Sequence, residues 1–246
     1  MKVFIKKNMR AILAVMFSIV LVLGVSTVAF AGLGVEDSGG NEDEIIFGSD
    51  TKEDGYIGTA MPDSIEGAIE TDYYIESVEQ FNNFQAISKE NDFEGITVHL
   101  AANVSLDESF SGIGSAEVPF AGTFDGHGYA IRKMVSENGL FVAVNGATIQ
   151  KLVIGSAKSN TGILAGTASD VKVEKVVISK SKVTAETNVG GMFGSVTGNS
   201  SISDSTVRRL VIKTTGEVAG FAVSGADITN CVVVNSYLND TFVNGN

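Results

Sequence analysis

Apolar and polar positions alternate with a period of two through most of the chain beyond residue 95, and the alternation comes in repeated units. Gly139-Leu140-Phe141-Val142, Gly162-Ile163-Leu164-Ala165, Gly191-Met192-Phe193-Gly194 and Gly220-Phe221-Ala222-Val223 are versions of one motif, spaced 23, 29 and 29 residues apart. Each is followed by a second: Ile149-x-x-Leu152-x-Ile154, Val173-x-x-Val176-x-Ile178, Ile202-x-x-Ser205-x-Val207 and Ile228-x-x-Cys231-x-Val233. Strands this short cannot bury a face alone, so the copies must stack. Stacking puts Ile149, Val173, Ile202 and Ile228 in one inward column and Leu140, Ile163, Met192 and Phe221 in another. Glycines lead the units, where tight corners call for unusual φ. The only prolines are Pro62 and Pro119, so every backbone N–H of the repeats is free to enter a ladder. The period fits one turn of a parallel β-helix, while the leucine-rich-repeat consensus is absent. The fold class read from the pattern is all-β, a single-stranded parallel β-helix of about four to six coils.

Upstream the pattern changes. Ser77-Val78-Glu79-Gln80 forms a capping box, and Val78, Phe81, Phe84 and Ile87 fall on one side of a helix ending near Asn91. Ile96 to Leu100 and Asn103 to Leu106 alternate as strands. Gly122 to Ile131 holds β-prone residues on either side of an Asp125-Gly126 turn, with glycines where positive φ is needed.

The stretch from Tyr73 to about Leu238 resembles the bacterial surface and adhesin-like proteins that contain GLUG motifs. The likeness rests on the helix opening at Ser77 to Phe81, the element Pro119 to Tyr129, the Gly191 to Gly194 repeat and the Ile-x-x-Leu strands. Only Gly191 to Gly194 keeps both glycines of the repeat. The resemblance implies a right-handed β-helix, a capping helix at its N-terminal end and a place on the cell surface. It implies no settled activity.

The first 31 residues carry a separate signal. Lys2, Lys6, Lys7 and Arg10 precede an apolar run from Ala11 to Ala29, and Ala29-Phe30-Ala31 has the small-x-small form that signal peptidase accepts. The competing reading is an uncleaved membrane anchor, since a span needs roughly 20 apolar residues. Cleavage after Ala31 removes four bases and takes the net charge from −12 to −16. That acidity argues against nucleic acid as a partner. From Gly32 to Asp72 there are twelve acids and one base, Lys52, which reads as a disordered acidic spacer. The expected organisation is a signal peptide over 1–31, a spacer over 32–72, the capping helix and first strands over 73–138, and repeat coils over 139–246. Cys231, the single cysteine, cannot form an internal disulfide and reads as a small buried hydrophobe.

Candidate chemistry is sparse. His99 reads as a structural residue in a strand. His127 follows Asp125-Gly126 in a turn, but a metal site usually takes three or four protein ligands, and the local sequence suggests no third. No metal, cofactor or catalytic residue is assigned. A carbohydrate-active β-helix enzyme would need clustered carboxylates; among residues 151–213 the acids are Asp170, Glu174, Glu186 and Asp204, and no pair converges. The same stretch carries nine bases against those four acids. Lys172, Lys175, Lys182, Arg208 and Arg209 on outward strand positions would line up as a basic stripe for a glycan or an anionic envelope polymer. The last coil, Val218 to Leu238, leaves an end that Asp240 to Val243, a further length of chain or an end-to-end partner covers. The expectation is a secreted or cell-surface, non-enzymatic, adhesin-like module. The rivals are a carbohydrate-active enzyme (a polysaccharide lyase or glycoside hydrolase) and a purely structural envelope spacer. Contact with a membrane is expected only through an uncleaved N-terminal segment.

Overall fold

The computed structural model describes residues 58–67, 70–106 and 110–245. The signal peptide, its cleavage site and most of the acidic spacer lie outside these. The described chain is nearly all-β: short parallel strands wind into a solenoid of about six turns, with one short helix. Among the described residues no helix is long and apolar enough to cross a membrane.

Four faces organise the coil. Face A stacks Thr59–Ala60, Asp72–Ile75, Thr97–Leu100, Thr123–Asp125, Thr148–Gln150, Lys172–Glu174, Ser200–Ser203 and Ala226–Thr229. Face B holds Val104–Ser105, Ala130–Arg132, Val153–Gly155, Val177–Ser179, Thr206–Arg208 and the start of Val232–Leu238. Face C runs through Val135–Ser136, Lys158–Ser159, Lys182–Thr184, Val211–Lys213 and the end of Val232–Leu238. Face D holds Phe141–Asn145, Ala165–Ser169 and Phe193–Thr197.

The register makes the expected column on face A continuous. Tyr73, Val98, Phe124, Ile149, Val173, Ile202 and Ile228 pair successively. All but the last are buried, each side chain contributing about 1.5–3 kcal/mol. Ile228 is 45% exposed, because among the described residues no further rung covers it. Leu140, Ile163, Met192 and Phe221 are all buried. On face D the strands pair Phe141 with Ala165 and Ala165 with Phe193. Leu164 rather than Ile163 therefore stands level with Leu140 and Met192; the first motif spacing of 23 is one short of the structural step.

The corners differ from expectation. Left-handed residues occupy them: mostly glycine between faces D and A, at Gly146, Gly198 and Gly225, but other residue types at the two remaining corners. Lys151, Lys175, Asp204 and Asn230 turn face A into face B, and Lys133, Ser156, Lys180, Arg209 and Asn235 turn face B into face C, with φ between 48 and 59°. Buried serines follow several of them. Ser181, Ser205 and Ser236 each donate to a carbonyl two residues back, at 2.8–2.9 Å, and accept an N–H from the preceding rung at 3.0–3.2 Å. One hydroxyl thus satisfies two backbone groups that would cost about 1–3 kcal/mol each if left buried and bare. Cys231 takes the equivalent place after Asn230. It is half-buried rather than buried, and its Sγ lies 3.2 Å from the Thr229 carbonyl. Burial pushes its thiol up.

Of the motif glycines, Gly139 has the expected positive φ of 83°, while the other three serve proximity. Gly162, Gly191 and Gly220 have no positive φ, but a Cβ on Gly162 would sit 2.3 Å from the Met192 carbonyl oxygen. At the Asp125-Gly126 turn the positive φ falls on His127 and Gly128, and the flanking strands belong to faces A and B rather than to a hairpin.

The helix Val78–Ile87 follows the second face-A strand and covers the N-terminal end of the core. Ser77 accepts from the Gln80 N–H at 3.2 Å, and Gln80 Oε1 accepts from Glu76 N–H at 2.7 Å, one residue before the expected donor. Phe81 and Phe84 are fully buried, whereas Val78 is 43% exposed and lies off the apolar stripe. Lys89 Nζ donates to the carbonyls of Gly112 and Gly114 at 2.7 and 2.6 Å, which fixes the helix end to the next coil. Ser77→Ala is expected to cost about 1 kcal/mol in urea melts. A loss of less than about 0.3 kcal/mol would mean the cap is redundant with Phe burial.

The boundary at residue 72 also moves. Thr59 and Ala60 pair with Tyr73 and Tyr74, and Met61 is 2% exposed. The fold therefore reaches back at least to Thr59, since apolar Met61 and Ile65 pack on the core. At the other end Thr241–Gly245 returns antiparallel along Val232–Leu238, with the Tyr237 and Phe242 rings 5.3 Å apart.

Candidate functional site

The five residues of the expected basic stripe separate into two groups. Lys172 points out of face A, and its Nζ is 3.4 Å from Glu174. Lys175, at the next corner, donates to the same carboxylate at 2.9 Å. The hydrogen bond from Lys175 holds the Glu174 carboxyl below its ordinary range, with Lys172 adding to the effect. The two lysines share one carboxylate, which leaves the trio with a single net positive charge.

Lys182, Arg208 and Arg209 lie on the other side, with bases not counted in the stripe. Lys158 and Lys182 are level on face C. Arg132 and Arg208 end face-B strands, and Lys133, Lys180 and Arg209 occupy the corner column between B and C. Successive rungs are about 4.8 Å apart, so Lys180 and Arg209 are neighbours, and Ser156 separates them from Lys133. Beside this column is a groove of about 700 Å³ whose lining includes Lys158, Lys182, Asn138, Asn160, Glu137 and Phe110. Among the described lining residues the carboxylate is Glu137. The acids of the repeats are engaged elsewhere. Asp170 accepts from Asn199 N–H and Ser169 Oγ, which lowers its carboxyl, and Asp204 accepts from Asn230.

A second cluster forms on face A. His99 and Asp125 occupy level outward positions on adjacent strands. The left-handed turn at His127 brings its ring back over them. His99 Nδ1 lies 2.8 Å from His127 Nε2, and the ring centroids are 5.1 Å apart. His99 Nε2 is 3.1 Å from Asp72 Oδ1. Asp125 Oδ1 accepts the His127 backbone N–H at 3.0 Å and lies 3.8 Å from His127 Nε2. Asp125 Oδ2 accepts from Gln150 Nε2 at 2.7 Å, with Lys151 Nζ at 3.7 Å. The side chains of His99, His127 and Asp125 are 14, 16 and 8% exposed. His127 is thus not the surface residue expected of it, and His99 supplies the third donor that the local sequence did not suggest. The signal was present at long range: one coil length separates His99 from both Asp125 and His127.

No family model matches the chain, and no curated protein matches it. Among solved structures, a crystal structure described as a "putative immunoglobulin A1 protease from Bacteroides ovatus" is similar over 70% of this chain and 78% of that one, at 12% identity and a TM-score of 0.34. A likeness at that level carries no argument about activity.

Proposed function

We propose that the chain is an exported surface module of the adhesin-like, GLUG-containing kind, which binds an acidic polysaccharide or other anionic envelope polymer in the face-C groove without cleaving it. The observation that carries this reading is the groove lined by Lys158 and Lys182, with the corner residues Lys133, Lys180 and Arg209 two positions before its face-C strands. An acidic protein that gathers its bases along one edge attracts a polyanion there and repels it elsewhere. Rigid rungs fix the backbone positions of these bases, so binding has only their side chains to order. Export is supported by the basic n-region and Ala29-Phe30-Ala31, and the surface location by the resemblance.

The test is binding of polygalacturonate, with dextran as the neutral control, at low and moderate salt. Expected is binding of polygalacturonate alone, weakening with salt, and lost by at least about tenfold in Lys158→Ser/Lys180→Ser/Lys182→Ser/Arg209→Ser. Lys172→Ser/Lys175→Ser should change little. Release of new chain ends would turn the reading to the carbohydrate-active enzyme. No binding to any anionic polymer would favour the structural spacer.

A further inference from the structure

The geometry points to a binding site for a divalent transition-metal ion of the zinc class on face A, held by His99, His127 and Asp125. The proposal stands apart from the groove, which is on face C. Two imidazole nitrogens and a carboxylate oxygen from these residues lie within 4.8 Å of one another, and all three side chains are mostly buried. Imidazole and carboxylate are the donors that zinc takes, at about 2.0–2.2 Å.

The arrangement around the donors also fits. His99 Nε2 faces Asp72 Oδ1 at 3.1 Å, so an Nε2–H donated to that carboxylate leaves Nδ1 with its lone pair aimed at His127. His127 Nε2 faces the same point from the other side. In the metal-free protein the 2.8 Å contact holds one shared proton, donated by one imidazole to the other. An ion takes the place of that proton, which His127 then carries on Nδ1, so that both rings ligate as neutral imidazoles. Two nitrogens on one tetrahedral zinc stand about 3.3 Å apart, so the rings must separate by a few tenths of an ångström. Asp125 is held by the His127 N–H and by Gln150, which presents Oδ1 toward the imidazoles. Lys151 near Oδ2 opposes the ion's charge, so affinity falls short of that of a dedicated four-ligand site. Three protein donors leave one position for water or for a ligand of a partner molecule.

The experiment is titration of the purified protein, stripped with chelator, with Zn²⁺ by calorimetry and with Co²⁺ by visible absorption. Expected is one equivalent of Zn²⁺ bound with Kd below about 10 μM, a tetrahedral-type Co²⁺ band, and weakening as the pH is lowered, since the metal and the imidazole protons compete. Asp72→Asn should weaken binding by about 10–100-fold, the usual effect of removing a histidine's orienting carboxylate. His99→Gln and His127→Asn should weaken it further; asparagine tolerates the left-handed turn at 127, so this variant keeps the corner. Retained far-UV circular dichroism in His127→Asn shows that the loss is local. Zinc binding weaker than about 100 μM, or binding undiminished in folded His127→Asn, overturns the site and leaves the histidine pair a hydrogen-bonded strut.

Discussion

Gly190→Ala is expected to destabilise the protein by more than about 3 kcal/mol in urea denaturation followed by circular dichroism, beyond the usual 1–3 kcal/mol of overpacking. An added Cβ would stand 2.0 Å from the Phe221 carbonyl oxygen, 2.6 Å from its carbon and 2.7 Å from Ala222 Cα. All three are backbone atoms of the next rung, so no rotamer change relieves the clash. The rungs would have to part, and the pairings of Val189 with Val218 and Gly190 with Ala219 would go with them. Gly155→Ala is the control. Its Cβ would meet nothing nearer than Arg132 Cγ at 3.8 Å, and no positive φ is involved, so stability should hold or rise slightly. Equal losses in the two variants would show that rung spacing does not set the stability.

Phe84→Ala should cost about 3–5 kcal/mol, the range for emptying a phenylalanine site in a core. The Phe84 ring is fully buried and lies 5.0–6.2 Å, centroid to centroid, from those of Phe81, Phe93, Phe120 and Phe124. Phe120 and Phe124 in turn touch Phe141, so the cluster links the helix to the first strand of face D. Solenoid rungs depend mainly on their neighbours. Hydrogen exchange should therefore quicken most in the helix and over Thr97–Leu100, and least over Thr206–Arg208. Uniform quickening would show that the whole coil melts as one unit. A loss under about 1 kcal/mol would mean that the helix is not the lid its packing indicates.

The inward columns were legible because they repeat. Ile149, Val173 and Ile202 recur at nearly one period, and burial on a pleated face demands an apolar residue at each. The helix was legible for a local reason, since Ser77 and Gln80 advertise their own cap. The corners were not. Lysine, asparagine, aspartate and serine all serve there, so no single residue type marks the left-handed position, and the buried serines behind them resemble ordinary polar residues. Among the leading glycines φ accounts for Gly139, whereas close approach of neighbouring atoms accounts for Gly162, Gly191 and Gly220. The basic stripe failed in composition-level reading because register, not sequence proximity, decides which bases share an edge. Lys172 and Lys182 are ten residues apart yet lie on different faces. His99 and His127 lie 28 residues apart, and only the coil brings them together.

The antiparallel return of Thr241–Gly245 bears on how copies of this protein could add to one another. A growing stack of identical coils requires each new strand to lie parallel to the last. Among the described residues the last ladder on faces B and C runs the opposite way, and an antiparallel strand is no template for such growth. Face A keeps an outer edge in Ala226–Thr229, beside exposed Ile228. An end formed by these strands would accept a further parallel coil on one side and refuse it on the other.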